Sequence, residues 1–423
     1  MYADPQPLAP LVRSLRAGDR RPTALVDDLC DRLDAVDDDV RSVLPEPGRR
    51  DRLIREATAL DARHDDPTSR PSLFGVPVGV KDIFHVDGYL TAAGSSVPPA
   101  TITDAESTAV ARLHDAGAVT FGKARTTEFA YFDPPETRNP TDLGHTPGGS
   151  SSGSAAAVAA GICPLALGSQ TVGSVIRPAA FCGVVGFKPS YGRIPLDGVV
   201  PFAPSVDHVG TFTADVAGAA RTAAVLCDGW DPVDPDAPPV VGVVEGPYLD
   251  QATEAGRAGV EAGAAALDDA GYEVRRVPVF DDIDAVNASH DALTAAEFAL
   301  THAEWHAAYG DRYAPESTAL IEEGREVGVD ELADARAARL DLRERVGERA
   351  REAGVDLLIS PGAPGPAPCE VGALTDPGVT VCVRSHSHSF APPPRLMTLA
   401  AGKVTREEAS ADPRDVFSPG RGV

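Results

Sequence analysis

The sequence predicts a protein of the α/β class, and two observations lead to this fold. Segments with apolar residues at helical spacing alternate along the chain with short apolar runs that are typical of strands. The chain has 423 residues, a length at which α/β enzymes can fold around one large sheet instead of two or three ordinary domains. We therefore expect strands and helices to alternate throughout.

The predicted elements begin with a helical N-terminal segment at residues 1–63, where Leu8, Leu11, Val12 and Leu15 stand at helical spacing. A main domain is predicted at 64–375 and an atypical tail at 376–423. Ser154 or a neighbouring serine is expected to cap an alanine-rich helix. The pattern predicts strands at 76–80, 119–122, 240–244 and 272–279, and helices at 106–116, 252–270 and about 288–353.

Two patches rich in serine and glycine are the most informative part of the chain. Residues 148–154 read Gly-Gly-Ser-Ser-Ser-Gly-Ser, and residues 168–174 read Gly-Ser-Gln-Thr-Val-Gly-Ser. Glycine allows the backbone to approach a ligand closely, and serine hydroxyls can attack a substrate or relay protons. A flexible linker does not fit, because residues 155–167 between the patches are small and apolar.

These patches and their neighbours resemble the amidase signature family. The resemblance is good from about residue 70 to 215 and thinner to about 370. It implies the amidase signature fold, in which one large mixed β-sheet forms the core and helices cover both faces. The segments that carry it are residues 74–82, 117–123, 128–130, 147–157, 168–174 and 181–189.

The resemblance implies three catalytic residues. Lys81 corresponds to the base, Ser150 to a bridging serine and Ser174 to the nucleophile, with a cis peptide bond between Gly149 and Ser150. A serine hydroxyl is a poor nucleophile until a base takes its proton, and lysine can be that base only when burial lowers its pKa. Lys81 ends an apolar run and is one of only four lysines. The alternative for Lys81 is a structural ion pair with Asp82 or another carboxylate.

An oxyanion hole is also implied by the resemblance. It would be formed by the backbone N–H groups of Thr171, Val172, Gly173 and Ser174. The family often has glycine where Val172 stands. Because backbone groups are the donors, the hole is expected to persist in a tighter pocket.

Substrate binding is assigned to Arg177, Gly149 and Ser151. A guanidinium three residues after the nucleophile could bind a substrate carboxylate in bidentate fashion. This placement is similar to malonamidase-like members of the family. The A subunit of the tRNA-dependent amidotransferase usually has arginine one position earlier, followed by glutamine. A structural ion pair for Arg177 carries equal weight, since a partly buried arginine needs a partner.

The function implied by the resemblance is hydrolysis of the C–N bond of a small amide through an acyl-enzyme, without cofactor or metal. Arg177 suggests that the amide carries a carboxylate. The alternatives are the A subunit of a tRNA-dependent amidotransferase, which would pass ammonia to a partner, and an inactive homologue with an altered C-terminus. A homodimer is expected by the same resemblance.

Other chemical motifs are weaker. Residues 149–153 match Gly-x-Ser-x-Gly with Ser151 in the centre, but that nucleophile elbow follows a strand, and residues 139–147 are predicted to form a loop. His302 and His306 are four residues apart without the glutamate spacing of a zinc motif, so a packed or solvated pair is expected. His386 and His388 lie in a polar, proline-rich tail, and we interpret them as incidental to its composition. The six cysteines lack Cys-x-x-Cys spacing and are expected to be mostly buried thiols, as in a reducing cytoplasm.

The composition is strongly acidic. The formal net charge is −25, and 34 arginines accompany only four lysines. This balance opposes binding to nucleic acid, which requires a basic patch, and it suggests adaptation to high salt. With no apolar segment long enough to span a bilayer and no targeting signal at residues 1–7, the chain is expected to be soluble and cytoplasmic.

The last part of the chain departs from the family. The resemblance continues through residues 355–365 and begins again at 375–377, but the family's next Gly-x-Pro segment and strands are missing from residues 378–423. A change of reading frame near residue 376 would explain this, and so would a divergent or disordered tail. We favour the change of frame.

The acidic composition predicts that folding depends on salt. At 1 M salt, charges are screened over about 3 Å, so the self-repulsion of the chain is weakened. The free energy of unfolding, measured by denaturant titration, is therefore expected to rise between low and molar salt. A value that stayed constant over this range would contradict the prediction.

Overall fold

The computed structural model describes residues 1–232 and 237–369, together with the backbone of Val383–Ser385 and Arg395–Ala400. The predicted alternation of strands and helices is not kept throughout, because residues 8–63 and 283–352 form helices only and no helix separates the strands at 185–188 and 208–213. The helices are α1 (Leu8–Ala17), α2 (Pro22–Val40), α3 (Arg49–Arg63), α4 (Pro99–Ile102), α5 (Thr108–Asp115), α6 (Ser152–Ala159), α7 (Ile176–Cys182), α8 (Val216–Leu226), α9 (Pro247–Asp250), α10 (Glu254–Asp269), α11 (Ile283–Thr301), α12 (Ala303–Tyr309), α13 (Pro315–Glu326) and α14 (Val329–Glu352). The strands are β1 (Pro77–Lys81), β2 (Val119–Ala124), β3 (Leu165–Gln170), β4 (Val185–Lys188), β5 (His208–Thr213), β6 (Val241–Glu245), β7 (Val274–Pro278), β8 (Leu357–Ile359), β9 (Val383–Ser385) and β10 (Arg395–Ala400).

The main sheet is mixed, which confirms the predicted fold class. Its strand order is β2-β1-β3-β5-β4-β10-β9. Strand β1 pairs in parallel with both β2 and β3, whereas the other neighbours pair antiparallel. All residues of β1, β2 and β3 are buried, as is usual for parallel strands covered on both faces. The last residue of β1 therefore lies inside the protein.

Helix α6 packs against these strands. All eight of its residues are buried, and four of them are alanines, whose small side chains let the helix lie close to the sheet. The prediction that Ser154 caps this helix is wrong. The residue before the helix is Ser151, whose side chain makes no capping bond, and the Ser154 hydroxyl instead donates to the carbonyl of Leu167 at 2.8 Å.

A second, smaller sheet follows the first along the chain. Its strands are all parallel, in the order β7-β6-β8. The sequence predicted β6 and β7 but not that they form a sheet of their own with β8. Helix α11 contacts both α13 and α14, and α14 contacts β7. A separate small core fills this part, including Val244, Val277 and Leu358.

The N-terminal helices belong to the main core. Leu8, Val12 and Leu15 are fully buried on α1 and pack in the same cluster as the main sheet. Helix α3 ends at Arg63, and the domain boundary at this residue stays a prediction. The boundary at residue 376 and the expectation of a disordered or frame-altered tail lie outside the described residues. Over the ranges described above, no helix combines the length and apolar character that crossing a membrane requires.

Close packing explains part of the glycine content, and it leads to a prediction. A Cβ atom at Gly153 would overlap backbone atoms of Ser42 and Arg125, whereas one at Gly263 on α10 would meet nothing within 4 Å. We expect Gly153→Ala to lower the free energy of unfolding by about 1–3 kcal/mol. The control Gly263→Ala should raise it by about 0.5–1 kcal/mol, because alanine is the better helix former. Denaturant titration measures both, and equal effects would contradict the packing argument.

Candidate active site

Lys81 is at the centre of the candidate site. It is the last residue of β1, and its side chain is fully buried. Its Nζ lies 2.7 Å from the Oγ of Ser150 and 2.8 Å from the Oγ of Ser169. The alternative ion pair with Asp82 is wrong, because Asp82 pairs with the buried Lys123 at 2.9 Å. Lys81 is therefore surrounded by hydroxyl groups.

Burial determines the proton affinity of Lys81. Removing the ammonium from water lowers the pKa of Lys81 well below its ordinary value of 10.5, and the charge of Asp207 opposes this shift. Desolvation disfavours the charged form, so the neutral amine becomes accessible at lower pH than in a solvated lysine. A neutral amine next to a hydroxyl can accept a proton from it.

Ser150 is held by its backbone. The peptide bond between Gly149 and Ser150 is cis, as the resemblance implied. The carbonyl of Ser150 accepts hydrogen bonds from the Thr126 hydroxyl at 3.1 Å and from the Thr127 amide at 3.3 Å. These contacts fix the hydroxyl of Ser150 beside Lys81.

Ser174 lies in the short loop between β3 and α7. The side chain of Gln170 organises this loop, since its Oε1 accepts hydrogen bonds from the amides of Val175 and Ile176 at 2.9 and 3.0 Å. Ser174 is 8% exposed, so it is the member of the trio nearest to solvent. Within the described ranges no hydrogen bond joins it to Ser150. The structure therefore brings Lys81 and Ser150 into contact, and places Ser174 in an adjacent loop.

The amides of the predicted oxyanion hole are in this same loop. In the part of the chain that the structure describes, the backbone N–H groups of Gly173 and Ser174 meet no protein acceptor. Thr171 is held differently, because its hydroxyl donates to Asp207 at 2.5 Å. Available N–H donors beside a serine are what an oxyanion hole requires.

Arg177 connects this loop to the cis peptide. Its Nη2 donates to the carbonyl of Gly149 at 2.9 Å. Burial lowers the pKa of Arg177 to about 10, so the guanidinium remains charged at neutral pH. The described contact is thus with the carbonyl of Gly149, which places a positive charge next to the bridging serine, Ser150.

Ser151 does not have the position predicted for a substrate-binding residue. It is fully buried. Its hydroxyl donates to the carbonyl of Ser169 at 3.2 Å and accepts from the amide of Ser169 at 3.3 Å. These bonds join the start of α6 to β3, so the side chain of Ser151 has a structural role.

Asp207 was missed by the sequence analysis. Its Oδ1 accepts from the Thr171 hydroxyl, and its Oδ2 accepts from the amides of Phe202 and Ala203 at 2.9 and 3.0 Å. Burial raises the pKa of Asp207, and the hydrogen bond from Thr171 opposes that rise. This carboxyl group links the candidate oxyanion loop to the electrostatics of Lys81. No linear signal marks it, since it lies 33 residues beyond Ser174.

Ser169 and Gln170 were quoted in the motif without a role. Ser169 could have been found from the pairing of β1 with β3, because the register places Val80 opposite Leu167. Parallel neighbours end at the same edge of a sheet, so residues just beyond this pair meet there.

The other candidate groups are structural. His302 is fully buried and bonds to Tyr313 at 3.1 Å and to the carbonyl of Pro201 at 3.2 Å, so it is packed, as expected. Among the described residues, no group of histidine, cysteine or acidic side chains could hold a metal ion. His386, His388 and Cys382 lie outside that part of the chain. Of the other five cysteines, Cys30, Cys163, Cys182 and Cys227 are buried free thiols and Cys369 is exposed.

Comparison with known proteins gives the family. The chain belongs to the amidase family, whose model matches residues 24–401. A crystal structure of an amidase is 29% identical, with a TM-score of 0.79 over 96% of this chain and 97% of the other. A structure of a vestigial protein complex that bears on the evolutionary origins of an s-triazine catabolic enzyme is 29% identical, with a TM-score of 0.78 over 96% and 97%.

Curated relatives are subunits A of glutamyl-tRNA(Gln) amidotransferase. The protein from Syntrophus aciditrophicus is 40% identical over 260 residues, which are 59% of this chain and 52% of the relative. The protein from Anaeromyxobacter sp. (strain K) is 47% identical over 190 residues, or 44% and 38% of the two chains. The chain spans about half the length of the curated relatives it matches, or less.

The environment of Lys81 leads to a prediction that does not depend on activity. Because the chain has four lysines, ¹³Cε-lysine labelling and NMR can follow each side chain, and Lys81→Met assigns the signal. We expect Lys81 to titrate below 10.5 and to titrate lower still in Asp207→Asn, since the lost negative charge had raised its pKa. The exposed Asp197→Asn is the control and should shift nothing. Titration of Lys81 at or above 10.5 would contradict the assignment.

Proposed function

We propose that this chain is an amidase that hydrolyses a C–N amide bond through an acyl-enzyme. Ser174 is the nucleophile, Ser150 the bridging serine and Lys81 the base. The observation that carries the proposal is the contact of the buried Lys81 amine with the Ser150 hydroxyl at 2.7 Å. Among the described residues no carboxylate forms a contact ion pair with Lys81, which favours its neutral form.

The proposed reaction transfers a proton from Ser174 through Ser150 to Lys81. Neutral Lys81 accepts a proton from Ser150, which accepts one from Ser174 as Ser174 attacks the carbonyl carbon. The same path in reverse protonates the departing ammonia or amine. Water then attacks the acyl-enzyme and releases the acid. The Ser174 to Ser150 step requires a contact that forms when substrate is bound, since catalytic hydrogen bonds are often loose without it.

Backbone amides stabilise the negative charge in this proposal. The N–H groups of Gly173 and Ser174 are the best supported donors, because no described protein group accepts from them. Thr171 and Val172 complete the predicted set. Donors fixed in place beforehand stabilise the tetrahedral intermediate without reorganisation.

Arg177 and Gly149 are proposed to bind the substrate beside Ser174. The guanidinium of Arg177 is charged and is fixed by the Gly149 carbonyl at 2.9 Å. A carboxylate on the substrate would be attracted to it. This supports a carboxylate-bearing amide as the substrate class.

A second candidate function is the A subunit of a tRNA-dependent amidotransferase, favoured by the identity to curated relatives. In that case ammonia release would depend on a partner protein. The position of Arg177 and the acidic composition favour the free-standing amidase, which we propose to act in the cytoplasm at high salt as a homodimer. The remaining alternative is an inactive homologue, in which the altered residues beyond 376 would abolish activity.

The nucleophile assignment predicts the effect of Ser174→Ala. Ammonia release from small amides by the purified full-length chain at high salt should fall at least about a thousandfold, because the attacking oxygen is removed. The control is Ser154→Ala, a buried serine whose hydroxyl only bonds to a carbonyl. It should keep activity and lose about 1 kcal/mol of stability. Activity that survives in Ser174→Ala would exclude this mechanism, and activity only with an added partner would favour the amidotransferase.

The role of Arg177 predicts a specific change in KM. In Arg177→Met, KM for malonamate should rise about tenfold or more while KM for propanamide stays the same, because only the first carries a carboxylate. Arg177→Lys keeps the charge, and its KM for malonamate should lie between the values of the unmodified protein and Arg177→Met. If both substrates are affected equally, Arg177 acts only through the Gly149 carbonyl.

A further inference from the structure

A cavity of about 980 Å³ lies beside the loop that precedes Ser174. Helices α11 and α14 form much of its wall. Residues that follow the strands of the small sheet also line it, namely Tyr248 after β6, residues 279–283 after β7 and Pro364 after β8. Thr171 and Val172, directly after β3, line it as well. The carboxyl ends of strands from both sheets therefore face one space.

This position is the one in which α/β proteins bind ligands. In open parallel sheets, ligands lie outside the carboxyl ends of the strands. A volume of about 300–1,000 Å³ is usual for small-molecule sites. A small amide such as malonamate would occupy only a minor part of such a volume. The cavity is thus larger than the chemistry at Ser174 requires.

The wall of the cavity is mostly apolar. Val286 on α11 and Ala338 and Leu342 on α14 are among its lining side chains. The charged side chains at its edge are compensated in part, since Arg349 pairs with Asp281 at 3.0 Å. Apolar contact is accordingly expected to contribute most to the binding of a ligand here.

Two buried polar atoms in this wall, the Nε of Arg339 and the Nε2 of His290, have no hydrogen-bond partner among the described residues. Burial, together with the charge of Arg339, lowers the pKa of His290, so the ring is neutral. A buried polar atom without a partner is costly, and a hydrogen bond with a ligand would remove that cost.

We infer that this cavity binds the acyl group of the substrate, and that the substrate is an amide with a bulky apolar acyl group, such as an arylalkyl group, bearing a polar atom that meets His290. The inference rests on the proposed function, because Thr171 and Val172 join the cavity to the loop of Ser174. The inference specifies the acyl group of the substrate. Arg177 does not line the cavity and is proposed to bind a carboxylate.

Binding to the full-length Ser174→Ala protein tests this without turnover. Isothermal titration calorimetry would compare acetamide with 3-phenylpropanamide, and malonamate with 2-benzylmalonamate, so that each pair differs by an aryl group. We expect the aryl group to tighten binding at least about tenfold in one or both pairs. Ala338→Trp or Val286→Trp should remove this gain by filling the cavity. The matched control is Leu340→Trp, which lies on α14 like Ala338 but is exposed. This control should retain the gain from the aryl group.

A second readout needs no substitution in the cavity. NMR should show intermolecular NOEs from the phenyl protons to methyl groups of Val286 and Leu342, which also settles the question if the tryptophan variants do not fold. No gain from the aryl group in either pair, a gain that survives both cavity variants, or NOEs to other methyl groups would overturn the inference. If the unmodified protein released no ammonia from amides, the proposed function would be contradicted instead. The two outcomes can be told apart because binding is measured without catalysis.

Discussion

The burial of the Lys81 side chain against two hydroxyl groups is the interaction on which the candidate site depends. An ammonium group removed from water is stable only when opposite charge or several hydrogen bonds compensate for its lost hydration. Ser150 and Ser169 supply hydrogen bonds at 2.7 and 2.8 Å but no charge. The balance therefore moves toward the neutral amine. This requires a strand buried on both faces, and β1 is an interior strand of the sheet whose residues are all buried.

Lys123 shows what the alternative environment does. It lies on β2, opposite Val80 of β1, and is almost as deeply buried as Lys81. Its Nζ contacts the carboxylate of Asp82 at 2.9 Å and the carbonyl of Phe84 at 2.8 Å. Burial lowers the pKa of Lys123, and the carboxylate of Asp82 opposes that shift. Two lysines on adjacent parallel strands thus differ in whether a carboxylate is in contact, which separates a structural ion pair from a candidate base.

Much of this arrangement could be predicted from the sequence. The family motif identified Lys81, Ser150 and Ser174, and the mixed sheet followed from the same resemblance. The small sheet could not be predicted, because β6 and β8 are separated by more than a hundred residues and nothing local in their sequences specifies that they pair. Asp207 was missed for a related reason. Its contact with Thr171 is formed only when β5 folds back beside β3, and a lone aspartate before a strand has no distinctive local pattern. Ser151 was assigned to substrate binding, but its hydroxyl contacts Ser169, whereas the hydroxyl of the adjacent Ser150 contacts Lys81.

The rate at which Ser174 reacts with a fluorophosphonate tests the central claim most directly, because this reagent phosphonylates only an activated serine. Mass spectrometry of the labelled peptide identifies the serine, and the pH dependence of the rate reports the base. If buried Lys81 activates Ser174, labelling should occur at Ser174, and its rate should increase with pH as Lys81 loses its proton, at a pH well below 10.5. In Lys81→Met the rate should be low and independent of pH over that range. An unchanged rate in Lys81→Met, or a label on a different serine, would contradict the account.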